Sequence, residues 1–215
     1  MSVTQRLRTV SEPVWRSMLE HRFVLAIGEG SVDMQRFGFW VRQDYLFLID
    51  YSRLFALAAA RAPDHETMTA FARLCDKTLS NEMALHRAYA SEFGISETEL
   101  QSEAKAPETA AYCDFLLRTA SLGDYVELVA ALLPCMWGFN EIGLALAAKG
   151  LPEQRQCRAW IEMYASPEFT QLTSWCRGIL DRLATGLPEP ALRRLEAAFV
   201  ASSRHELAFW DMAAG

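Results

Sequence analysis

The amino-acid sequence predicts an all-α fold, a single-domain helical bundle spanning residues 1–215. Apolar residues recur at a helical period, breaker residues divide the chain at helix-length intervals, and no clear strand is present. The one strand-like stretch, Phe37-Gly38-Phe39-Trp40-Val41, lies inside a longer run with 3.6-residue periodicity and is assigned to that helix.

Residues 3–20 read as a helix with a short continuation over 21–28, stopped at Gly28-Glu29-Gly30. Ser31 can cap a long helix running to about residue 61. Pro63-Asp64 opens the next, 64–93, closed by Gly94. Ser96 with Glu99 three residues on is a capping box before a short segment. Further helices follow at 107–121, 124–149, 153–164, 167–185 and 189–212, separated by Gly123, Gly150, Ser166-Pro167 and Gly186 with Pro188. Roughly nine helices without a strand pack as a bundle. No internal repeat, low-complexity tract or long linker divides them.

With 215 residues the chain is at the upper end of one ordinary domain. Hydrophobic residues at 51% and charged residues at 22% make it globular and not disordered. The net charge of −6, with Lys and Arg scattered, argues against nucleic acid as a partner. No apolar run is read as reaching the roughly 18 residues of a membrane span, so no membrane association is expected. The opening Met-Ser-Val-Thr-Gln-Arg-Leu-Arg lacks a hydrophobic signal region, and a cytoplasmic protein is expected. Five scattered cysteines, Cys75, Cys113, Cys135, Cys157 and Cys176, form no Cys-x-x-Cys pair, which fits neither a disulfide framework nor a cysteine zinc site.

Chemistry is signalled by polar residues on apolar faces. The stripe Phe37, Trp40/Val41, Phe47/Leu48, Tyr51, Leu54/Phe55, Ala58 has Asp44 at its centre. A carboxylate there costs several kcal/mol unless it is paired. Its bland reading is a structural acid bonded to a helix end or an Arg. The last helix repeats the pattern: Leu192, Leu195, Phe199, Ser202 and Phe209/Trp210 share a face with Glu206. His205 points about 100° away, toward the surface or the periphery of the site.

The third element is Leu132 to Gly143, where Pro134 sits inside a helix and frees the carbonyl of Ala130. Cys135 follows the kink directly and Phe139 lies one turn on. Gly138 and Gly143 permit close approach by other backbone or by a ligand. Cys135 is thus the best candidate nucleophile of the five. Tyr112 and Tyr164 each offer a ring to pack and a hydroxyl to aim. Together these residues predict helices that enclose a small pocket of acids and a cysteine among aromatic rings.

Glu82 and His86, spaced i, i+4, would supply two metal ligands, but the second Glu-x-x-His set of a di-metal bundle is missing. A surface or interhelix hydrogen bond is the expected role of this pair, and no metal or cofactor is expected. Gly28 and Gly30 make no phosphate loop, because no strand precedes them. Glu141 reads as a buried acid bonded to a neighbouring helix end.

Gln43-Asp44-Tyr45, Leu85-His86 with Phe93-Gly94-Ile95, Pro134-Cys135-x-Trp137 through Glu141-Ile142-Gly143, Tyr164, and Glu206-x-x-Phe209-Trp210 resemble the TenA/thiaminase II family, in order and over nearly the whole chain. The resemblance implies a haem-oxygenase-like helical fold without haem, a homotetramer, and hydrolysis at the methylene on C5 of an aminopyrimidine in thiamin salvage. The implied substrates are thiamin or 4-amino-5-aminomethyl-2-methylpyrimidine, and the product is 4-amino-5-hydroxymethyl-2-methylpyrimidine. It also implies roles. Cys135 adds to the ring as thiolate, Asp44 holds the amidine edge, and Glu206 moves protons. Tyr112 and Tyr164 orient the ring or its substituent, while Phe47, Phe139 and Phe209 stack on it. At positions 47 and 139 the family commonly carries tyrosine, so this chain keeps the stacking surface and loses two hydroxyls. Two other readings compete: a metal-dependent oxidase using Glu82, His86, Glu141 and His205, and a non-catalytic pyrimidine or thiamin binder.

Overall fold

Several helix starts coincide with side chains that satisfy a free backbone N–H. Ser2 with Gln5 and Ser96 with Glu99 form capping boxes. The side chains of Asp64 and Ser166 accept from the N–H groups of Thr67 and Phe169. The computed structural model describes residues 1–215, apart from the side chain of Asn81. Its helices are α1 (Val3–Val10), α2 (Glu12–Leu19), α3 (Arg22–Glu29), α4 (Met34–Ala60), α5 (His65–Lys77), α6 (Met83–Glu92), α7 (Glu97–Ser102), α8 (Pro107–Leu122), α9 (Tyr125–Ala147), α10 (Arg155–Tyr164), α11 (Pro167–Leu183) and α12 (Glu189–Ala214). A π-helical turn, Thr78–Glu82, joins α5 to α6. Among the described residues there is no strand, and Phe37–Val41 lies in α4 as expected.

Three boundaries differ from the sequence reading. The helix expected over 3–20 breaks at Ser11, because Pro13 lacks an N–H and fits only the first turn of a new helix. The long helix is capped by Asp33 and not by Ser31: the Asp33 carboxylate accepts from Gln35 and Arg36 at 2.8 and 3.1 Å. Ser31 instead donates to Glu29. The helix expected over 64–93 is interrupted by the π-turn, which has no simple sequence signature.

The helices form two compact units. One comprises Asp33–Leu128 and is built on α4, against which α5, α6, α7 and α8 pack. The expected α4 stripe is buried in full, from Phe37 to Ala58 and including Asp44. Polar side chains fix the register here. Gln43 reaches the chain entering α8, donating to the Ala104 carbonyl at 3.1 Å and accepting from Ala106 N–H and Thr109 Oγ1 at 2.8 and 2.9 Å. Asp50 is held by Lys105 and Arg53. Burial pushes its carboxyl upward, but the two cations outweigh that and hold it below its ordinary range.

The other unit comprises Met1–Val32 and Val129–Gly215. Trp15 stacks on Phe199 at 5.7 Å and meets Trp137 edge-on at 5.1 Å, joining α2, α9 and α12. Asp181 of α11 accepts from both the backbone N–H and the hydroxyl of Thr4, each at 2.8 Å. The expectation that no stretch is long and apolar enough to cross a membrane needs correcting. Tyr125–Ala147 meets that test by length and composition, yet 78% of its apolar window is buried inside the protein. It is the core helix of a bundle.

Candidate active site

In the unit built on α4, Asp44 is 3% exposed and its partner is neither a helix end nor an arginine. His86 of α6, 1% exposed, places Nε2 at 2.5 Å from Asp44 Oδ2. The other ring nitrogen, Nδ1, donates to the Glu82 carbonyl at 2.9 Å, since a carbonyl can only accept. Glu82 closes the π-turn, a local geometry often found where function needs a side chain re-aimed. Burial pushes its carboxyl up to about 7; His86 opposes this and Asp44 adds to it. Burial alone would lower the His86 imidazole, but the facing Asp44 carboxylate outweighs it and the net shift is upward. Trp40 and Tyr89 lie beside the imidazole, with ring centroids at 6.3 and 6.5 Å. In the same unit the ring of Phe47 lies 4.9 Å from that of Tyr112 and stacks on Tyr51 at 5.3 Å.

The Glu82 shift has a measurable consequence for stability. The folded chain keeps this proton to about pH 7, whereas the unfolded chain releases it near the ordinary value of 4.5. Between those values the folded state binds more protons, so stability falls as pH rises through the window. Glu82→Gln removes that cost. We expect its Tm to exceed that of the parent protein by several degrees at pH 8 and to match it near pH 4.5, in thermal melts at both values.

In the other unit, Pro134 lies inside α9 as expected, and Cys135 directly after it is half-buried. Ser202 of α12 donates to the Ala131 carbonyl at 2.7 Å, in the turn that the proline leaves short of a backbone donor. Two turns on, Phe139 of α9 meets Trp210 of α12 at 5.1 Å. Ala131, Cys135 and Phe139 are spaced by four residues, and so are Ser202, Glu206 and Trp210. The two contacts run in the same direction along both helices, and Cys135 and Glu206 each lie midway in sequence between them. Glu206 is 2% exposed. The other thiols are less suited to attack. Burial pushes Cys113 up to about 12 and Cys157 to about 11, and it raises Cys176 and Cys75 as well.

Tyr164 is positioned from α9. Asn140 Nδ2 donates to the Tyr164 carbonyl at 2.8 Å and to Thr170 Oγ1 at 2.9 Å. A Cβ on Gly143 would meet the Tyr164 carbonyl carbon at 2.8 Å and the Ala165 nitrogen at 2.9 Å, so glycine permits the close approach that was expected. At Gly138 a Cβ would meet Met18 Cε at an ordinary 3.9 Å. The rings of Phe139, Tyr164, Trp160 and Trp210 form a cluster, with Phe139–Tyr164 at 4.8 Å and Trp160–Tyr164 at 4.7 Å. Phe209 is buried at the same end of α12. Gly143→Ala should destabilise the protein by about 1–3 kcal/mol, because the neighbour it meets is backbone and cannot step aside; denaturant unfolding checks this.

Residues 9–215 match the TENA/THI-4/PQQC family. The chain is 43% identical over 99% of its length to an aminopyrimidine aminohydrolase of Halalkalibacterium halodurans, of which it covers 96%. It belongs to the TENA/THI-4/PQQC family. A TenA homologue protein from P. horikoshii superimposes with a TM-score of 0.92 at 29% identity, covering 99% of this chain and 98% of that one. A domain from Shewanella denitrificans described as having a heme oxygenase-like fold matches at TM-score 0.69 and 12% identity, covering 98% and 91%. The fold is therefore haem-oxygenase-like and all-α, as the resemblance implied.

Against this TENA-family frame, the residues of the oxidase reading go elsewhere. Both ring nitrogens of His86 are already engaged. Glu141 is not a buried acid at a helix end but a half-buried partner of Arg8, at 2.8 Å. No three of His, Cys, Asp and Glu among the described residues are grouped to hold a metal ion. His205 is half-buried, and burial lowers its imidazole. The residue that sequence reasoning undervalued is His86. Its burial was legible from its spacing to Met83, Tyr89 and Ala90, but its partner 42 positions away was not.

Proposed function

We propose that this TENA-family protein is a hydrolase of thiamin salvage. It cleaves thiamin, 4-amino-5-aminomethyl-2-methylpyrimidine or both at the methylene on C5, releasing 4-amino-5-hydroxymethyl-2-methylpyrimidine. The observation that supports the reading is the pair of contacts between α9 and α12, Ser202 with Ala131 and Phe139 with Trp210, which flank Cys135 on one helix and the buried Glu206 on the other. Cys135 adds to the pyrimidine as thiolate. The electron pair released into the ring expels ammonia or thiazole from the methylene, water adds to the methylene carbon, and the thiolate then leaves so that the ring becomes aromatic again. Glu206 protonates the leaving group and takes a proton from the water, work suited to a carboxyl in a dry environment. Asp44 accepts from the exocyclic amine.

Phe47, Phe139 and Phe209 supply flat walls, and Tyr112 and Tyr164 orient the ring. Phe139 in place of tyrosine leaves an apolar wall one turn from the thiol, backed by Trp160 and Trp210. Residues 1–215 serve as one functional domain of a cytoplasmic homotetramer with a small-molecule partner and no bound cofactor.

The test is to incubate the protein separately with thiamin and with the aminomethylpyrimidine, following the hydroxymethyl product by chromatography. Turnover of either supports the reading; tight pyrimidine binding with no turnover overturns it in favour of a binding protein. Asp44→Asn should raise KM and lower kcat together, since it alters both the acceptor and its bond to His86. Unchanged kinetics in that variant would remove Asp44 from the site.

A further inference from the structure

His86 is not used by the scheme above, yet it is the most deeply buried histidine of the chain and the partner of the substrate-recognition carboxylate. Its Nδ1 carries a proton, because the Glu82 carbonyl has nothing to donate. At Nε2 two arrangements satisfy the 2.5 Å contact: an imidazolium donating to a carboxylate, or a neutral imidazole accepting from a protonated Asp44. Both contain one shared proton between Nε2 and Oδ2. No side-chain rotation frees it, since the carbonyl of Glu82, fixed by the π-turn, holds the imidazole in place.

We propose that His86 is a positioning residue for the aminopyrimidine reaction: its Nε2 fixes one oxygen of Asp44 through a single shared proton, leaving Oδ1 for the exocyclic amine and lending that proton to a ring nitrogen during catalysis. The inference rests on the aminopyrimidine reading above and extends it to a second residue. When a nucleophile bonds to the ring, an electron pair moves onto a ring nitrogen. Oδ2, which in a bidentate pose also faces that nitrogen, takes the proton from Nε2 and hands it on while Oδ1 keeps the amine, leaving neutral imidazole beside carboxylate. When the nucleophile departs and the ring becomes aromatic again, the nitrogen returns the proton to the pair. Asp44 thus touches the substrate and His86 acts through it, as the orienting member of a catalytic triad acts through the residue it holds in place.

The test uses the full-length protein with His86→Gln and His86→Asn. A glutamine amide can reach the Nε2 position and still donate to Asp44, but it has no transferable proton. An asparagine amide reaches only the Nδ1 position, so Asp44 loses its support. With 4-amino-5-aminomethyl-2-methylpyrimidine we expect His86→Gln to lower kcat about 10²-fold while KM stays within about threefold. His86→Asn should lower kcat as much and raise KM about tenfold or more. Proton NMR of the wild-type protein should show a far-downfield imidazole resonance that is absent from His86→Gln. Retention of kcat by His86→Gln in an active background would overturn the proposal. So would absence of the downfield resonance from the wild type, a reading that does not depend on turnover. Failure of the wild type to process any aminopyrimidine would instead overturn the proposed function, with the resonance still deciding the shared proton.

Discussion

Cys135→Ser should abolish formation of hydroxymethylpyrimidine, a loss of at least about 10³-fold in kcat, while far-UV circular dichroism stays that of the parent protein. The hydroxyl that replaces the thiol is a far weaker nucleophile at neutral pH, because it is hardly ionised there. The substitution changes little else. Position 135 is half-buried inside α9, where serine fits the same space and has about the same helix propensity as cysteine. The remaining cysteines cannot take over, since burial raises each of their thiols. Single-turnover assays of parent and variant provide the check. Full rate in the variant would end the covalent scheme and leave direct attack by water.

Glu206→Gln should lower kcat by about 10²- to 10⁴-fold with KM changed by less than about threefold. The amide matches the carboxyl in shape and can still hydrogen-bond, so ligand orientation survives. What it cannot do is give a proton to the departing amine or take one from water. The same change replaces a buried carboxyl by a neutral group, so Tm should hold or rise. Steady-state kinetics and a melting curve on one preparation separate the two effects. A KM increase that matches the kcat loss would assign Glu206 to binding instead of proton transfer.

Much of this was legible along the chain. Ser96 with Glu99, Asp64, and Gly30 with φ of +70° marked helix ends correctly, because caps act within one turn of the backbone they satisfy. Asp44 and Glu206 stood out because each interrupts an apolar stripe, and both are buried. Cys135 stood out because a proline inside a helix needs a reason. Glu141 misled: its place in an apolar block suggested burial, but Arg8 draws it to the rim. The helix expected over 3–20 misled too, because Pro13 opens a second helix at Glu12.

The sequence alone determined most of the helices, the two acids on their stripes and the thiol directly after Pro134, all of which follow from spacing within a single helix. Tertiary structure decided who meets whom: His86 with Asp44, Asn140 with the Tyr164 carbonyl, Ser202 with the Ala131 carbonyl. Those pairings depend on the axial register and rotational phase of separate helices. Packing of whole faces sets both, and the π-turn before α6 shifts the phase by a step that no local pattern records.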